Sequence, residues 1–110
     1  MERFVWHKLF DSESQAHEAL DGGRIAKFFV ADQAVCLVKD QGQFFAFEDN
    51  CPHQGFSFAG GKCEAGVVEC PVHKYKFVLS KEEGKSALNH YPLKVNEQGV
   101  FVGKKKGFWS

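Results

Sequence analysis

Apolar positions in this chain fall in short runs that stop at glycine, aspartate, asparagine or glutamine, and the runs themselves are rich in phenylalanine and valine. Runs of that length and makeup predict strands separated by turns. The pattern places strands at Phe4–Phe10, Arg24–Val30, Ala34–Lys39, Gln43–Glu48, Val67–Cys70, Lys76–Leu79, Tyr91–Asn96 and Val100–Gly103. Asp40-Gln41-Gly42 and Glu97-Gln98-Gly99 each end in a glycine able to take positive φ between two apolar runs, so both predict hairpin connections of antiparallel meanders.

One stretch departs from the two-residue period. Ser12 and Gln15 make a capping box, Ala16, Ala19 and Leu20 follow at helical spacing, and Gly22-Gly23 can end the turn. A short helix over Glu13–Leu20 is expected, covering one edge or end of the sheet.

At 110 residues, with no repeat, low-complexity run or proline-rich linker, the chain is expected to form one domain over residues 1–110. Lys plus Arg equals Asp plus Glu at 14 each, so no overall field favours nucleic acid or an anionic membrane. The opening MERFVWHKLF lacks an apolar signal core, and no stretch approaches the ~18 apolar residues of a spanning helix, which suggests a soluble, cytoplasmic protein without a membrane partner. Lys104-Lys105-Lys106 reads as a solvated terminus.

Without a secretory signal, four cysteines favour thiolate ligation over a disulfide framework. Cys36, between Val35 and Leu37, reads as a small buried apolar residue, and Cys63 sits in GGKCEAG, a loop with no histidine near it. His7, His17 and His90 are scattered and read as surface or packed side chains. Two pairs remain: Cys51 and His53 in CPH, and Cys70 and His73 in CPVH. A single zinc ion accepts two thiolates and two imidazoles, but zinc-finger spacings usually group cysteine with cysteine and histidine with histidine. Here each loop carries one of each, which suits two irons side by side, Cys51 and Cys70 on one and His53 and His73 on the other. A zinc-stabilised interaction module without redox activity stays open as an alternative.

CPH at 51–53, sixteen intervening residues and CPVH at 70–73 resemble the Rieske iron-sulfur proteins. Gly55, Phe77, the glycine-rich approach to the second loop and YPLKV at 91–95 extend the likeness to stand-alone Rieske ferredoxins. The resemblance implies an all-β antiparallel sandwich with a small cluster-binding lobe, placed roughly at 49–80, and one 2Fe-2S cluster held by Cys51, His53, Cys70 and His73. It implies an electron carrier rather than an enzyme, passing single electrons from a reductase to a terminal oxygenase or similar acceptor. A small subunit of a larger, nitrite-reductase-like enzyme is the alternative within the family.

Departures narrow the reading. The extra loop cysteines of cytochrome bc Rieske proteins are replaced here by Phe56 and Val72, and no second domain for the mononuclear iron of oxygenase subunits is expected. The glycine that often follows the second histidine is Lys74, which leaves the backbone there open. Tyr75 and Phe77 occupy the positions of the serine and tyrosine that donate hydrogen bonds in high-potential members, so a potential toward the low end of the class is expected. Phe56 and Phe58 flank the first loop, with packing beneath the cluster as their expected role.

Overall fold

The computed structural model describes residues 4–51, 57–72, 74–79 and 88–105. Its elements run β1 (Phe4–Phe10), α1 (Glu13–Ala19), β2 (Ala26–Val30), β3 (Gln33–Asp40), β4 (Gln43–Glu48), β5 (Lys62–Glu64), β6 (Val67–Glu69), β7 (Lys76–Val78), β8 (His90–Tyr91), β9 (Leu93–Asn96) and β10 (Gly99–Lys105). Three sheets result, ordered β1-β10-β9, β2-β3-β4-β8 and β5-β6-β7, and their pairings are antiparallel. The expected all-β architecture with one short helix is borne out.

The β2-β3-β4-β8 sheet is the middle layer. Side chains alternate across a strand, so a strand covered on both faces reads as an unbroken apolar run. On β3, Val35 and Leu37 join Phe44 and Ala46 of β4 in a core closed by Val100, Val102 and the helix residues Ala16 and Leu20. Their neighbours Cys36, Val38, Phe45 and Phe47 face the other way, into a second core with Cys51, Phe58, Cys63, Val68, Cys70, Leu79 and Leu88. The β1-β10-β9 sheet covers the first face, and the small β5-β6-β7 sheet covers the second.

Local chemistry explains the connections. The β3–β4 turn places Gln41 at φ 52° and Gly42 at φ 80°, both left-handed as a two-residue type I′ hairpin requires. Ser12 caps α1 by accepting from the Gln15 amide at 3.1 Å, and the Gln15 side chain accepts from Asp11 N–H at 3.0 Å. The return bond therefore reaches one residue further back than in the usual box. Leu20 is the C-cap, so the helix ends a residue before the expected limit.

Other differences have physical reasons. Tyr91–Asn96 is two strands, because Pro92 has no N–H to continue the ladder, although its carbonyl accepts from Gly103 N–H at 2.9 Å. β10 continues through Lys104 and Lys105 to pair with Phe4, and Lys104 lies over the Tyr91 ring at 4.7 Å instead of in a free tail. Cys63, expected in a loop, is on β5, opposite Val68. Cys36 is fully buried, as expected.

Candidate metal centre

The small sheet brings the two candidate loops together. In its register Cys63, Val68 and Phe77 form one cross-strand row, and that row faces the second core. Lys62, Glu69 and Lys76 form the adjacent row on the outer face, where Lys62 and Glu69 approach to 4.0 Å. A shallow cleft there, lined by Lys62, Glu64, Val67, Glu69 and Lys76, contains no thiol and is a solvated face of mixed charge.

Cys70 follows β6 directly, and its N–H donates to the Tyr75 carbonyl at 2.8 Å, which closes the second loop as a hairpin. Lys74 takes φ 57° at that closure. It therefore adopts the left-handed conformation that a glycine would take freely, and the backbone question raised by the missing glycine is answered.

Cys51 arrives from the opposite direction, after β4. Both sulfurs are buried, neither is in a disulfide, and the Cys70 thiol lies within hydrogen-bonding reach of Cys51. Burial pushes the Cys70 thiol up from its ordinary value, the Val72 amide pointing at its sulfur works against this, and the neighbouring Cys51 and the Asp49 carboxylate push it further up. Two buried thiols side by side, with the ionisation of Cys70 opposed by burial and an amide aimed at its sulfur, make a donor set that a cationic metal centre would relieve. The residues present fit such a group. His53 and His73, the expected imidazole partners, lie outside the described residues, as does Phe56.

The thiols rest on aromatic side chains. Phe58 is fully buried and meets Phe47 edge to face at 5.4 Å and Phe77 at 5.8 Å, so packing in the core is its role, as expected. Phe77 packs against the core that holds both cysteines and brings no hydroxyl. The other two cysteines belong to the same core but are held as thiols. Burial pushes Cys36 far up, helped by the Asp49 carboxylate that accepts its S–H, and burial with the Asp40 charge pushes Cys63 up to about 11.

Sequence reasoning missed Asp49. Its side chain is fully buried, with Oδ1 accepting from Phe58 N–H at 2.6 Å and Oδ2 accepting from the Ser57 hydroxyl at 2.6 Å, and Lys27 Nζ stands 3.1 Å from Oδ2. Burial raises its pKa, yet the bonds from Ser57, Phe58, Cys36 and Lys27 outweigh that and keep it below the usual carboxylate range. The only signal was an acid two residues before a candidate ligand, which alone is no signal.

A layered antiparallel sandwich with a small lobe that sets two buried cysteines side by side fits a domain that holds a metal centre through thiolates. The chain belongs to the Rieske [2Fe-2S] domain family, whose model matches residues 12–98. It is 35% identical over 86 residues to the alkene monooxygenase system ferredoxin component of Xanthobacter autotrophicus, covering 74% of this chain and 70% of that protein. Against the biphenyl dioxygenase ferredoxin subunit of a Pseudomonas species it is 34% identical over 76 residues, 64% of this chain and 70% of the relative. A chain in the solved complex of reduced oxygenase and oxidized ferredoxin in carbazole 1,9a-dioxygenase superposes with a TM-score of 0.71 at 24% identity, over 94% of this chain and 97% of that one. The expected family, Rieske-type 2Fe-2S cofactor and electron-carrier role are borne out.

Proposed function

We propose that this chain is the ferredoxin component of an oxygenase system in the cytoplasm, taking single electrons from a reductase and delivering them to a terminal oxygenase. The ferredoxin names of its relatives support the partners. Within the described residues no helix is long and apolar enough to cross a membrane, which agrees with that setting. Cys51 and Cys70 would hold one iron and His53 and His73 the other, in a lobe spanning roughly residues 49–80 of a single domain.

The observation that carries the assignment is the side-by-side burial of the Cys51 and Cys70 thiols, delivered by two loops that meet under the small sheet. A Rieske cluster supplies a reversible one-electron store whose two histidine ligands raise its potential above that of all-thiolate clusters. The chain's own residues shape the setting: Phe58, Phe77 and Val68 exclude water from the thiol side, and the Val72 amide stabilises negative charge on the Cys70 sulfur.

An absorption spectrum of freshly purified protein, with iron and acid-labile sulfide counts, tests the reading. Two irons and two sulfides per chain are expected in the wild type, with loss of both in Cys51→Ala and in His73→Ala. Colourless protein holding one zinc would overturn it in favour of the interaction module.

A further inference from the structure

Asp49 stands at one end of the first cysteine loop and its partners Ser57 and Phe58 at the other. Its own N–H donates to the Ala34 carbonyl of β3 at 3.0 Å, so the backbone at this end is tied to the middle sheet. The tie extends across the strands. Lys27 of β2 is paired with Cys36 of β3, which is paired with Phe47 of β4, so these three side chains share the face turned toward the lobe. From that face Lys27 Nζ reaches both the Asp49 carboxylate and, at 3.4 Å, the Ser57 hydroxyl. Ser57 Oγ also accepts from the Ala59 amide at 3.1 Å. One carboxylate thus gathers a backbone amide, a hydroxyl, a thiol and an ammonium from three segments of the chain.

Such a group does two things. Joining Asp49 to Ser57 and Phe58 restricts where Cys51 can go, which reduces the entropy lost when it is fixed on a ligand. A buried carboxylate is also a negative charge in a weakly screened place, and this one stands two residues before Cys51. Adding an electron to a centre on the Cys51 and Cys70 sulfurs is opposed by that charge and assisted by the Lys27 cation.

We propose that Asp49 is a positioning residue, joining the two ends of the first ligand loop to the middle sheet and holding the reduction potential down, with Lys27 as the counter-charge that offsets it. The proposal rests on the assignment of Cys51 and Cys70 as cluster ligands, and the Lys27–Asp49–Ser57 network goes beyond it.

The test uses purified wild type, Asp49→Asn, Lys27→Met and Ser57→Ala, each with iron and sulfide counts, the visible and electron paramagnetic resonance spectra, and a reductive titration at one pH and salt. Wild-type iron and sulfide counts stand apart from the proposal, since their absence would refute the ligand assignment rather than the clamp. With the cluster present, Asp49→Asn keeps an oxygen for the Phe58 amide but loses the charge, so its potential moves up. Lys27→Met keeps the Ser57 and Phe58 bonds and loses the counter-charge, so its potential moves down. In Ser57→Ala the clamp loses the hydroxyl that donates to Asp49 and accepts from Lys27 and the Ala59 amide, and hydrogen exchange at the Phe58 amide speeds up relative to wild type in iron-free protein as well. Potentials that do not move in opposite directions in the two charge variants, or a Phe58 amide unaffected by Ser57→Ala, overturn the proposal. Should Asp49→Asn fail to fold, the other two variants decide it: a potential that does not fall in Lys27→Met, or a Phe58 amide unaffected by Ser57→Ala, overturns the proposal.

Discussion

At the scale of single residues, the second loop has a substitution that the fold tolerates at a cost. A side chain in the left-handed region costs about 1–2 kcal/mol, and Lys74 sits there at φ 57°. Glycine would relieve the strain but loses about 0.4–1 kcal/mol through the freer unfolded chain. Lys74→Gly should therefore gain a net ~0.5–1 kcal/mol, seen as a higher denaturant midpoint at unchanged slope. Phe77 offers a second change. Its ring packs against the core that holds Cys51 and Cys70 without a donor, and an ordinary hydrogen bond contributes about 0.5–1.5 kcal/mol. Phe77→Tyr should raise the potential by roughly 20–65 mV for a one-electron couple, measured by titration beside wild type. The two cysteine loops were legible in the sequence because soft ligands at short spacing are rare. Asp49 was not, because its significance lies in who surrounds it, and Lys27, Cys36 and Ser57 come from separate parts of the chain.

Among the elements, those with a clear period were read well. β1 and β4 have the expected bounds, and α1 differs by its last residue. What escaped was β5, whose Lys62-Cys63-Glu64 has a single apolar position and follows two glycines. Gly61 explains why those glycines belong to structure and not to a slack loop. A Cβ at this position would land on the Glu69 carbonyl oxygen, and Gly61 N–H donates to Phe58 at 2.9 Å. The exit of the first loop is thus pressed against the residue that precedes Cys70. Gly61→Ala should force the two cysteine loops apart, and the expected outcome is protein that retains β-sheet circular dichroism but binds far less iron. Full iron content in that variant would show that the close approach is dispensable.

Across the whole molecule, the middle sheet separates two cores of different dependence. The core with Val35, Leu37, Val100 and Val102 contains no cysteine, whereas the core on the other face includes all four. Removing the iron with a chelator under reducing conditions should therefore act on one side. Hydrogen exchange is expected to accelerate across residues 57–79 while the amides of β3 and β10 keep most of their protection. Equal acceleration in both would mean that the cores are cooperative and that the layers do not fail separately. The sequence made the all-β class legible, yet the layering was hidden, since an unbroken apolar run such as Val35-Cys36-Leu37-Val38 says that both faces are covered and not by what.

The outer sheet has a consequence for how the protein is made. β1 finds its partner in β10, with Phe4 opposite Lys105, whereas β2 with β3, β3 with β4, β5 with β6 and β6 with β7 each join neighbours in the chain. Pairings between distant segments carry the largest loop-closure cost and form slowly. As the chain emerges from the ribosome, the hairpins of the middle sheet and the lobe can assemble in order, while Phe4, Val5 and Trp6 wait for β10, the last of the described strands to emerge. Until then the first core lies open along Val35 and Leu37, and a nascent-chain holdase has its longest window there.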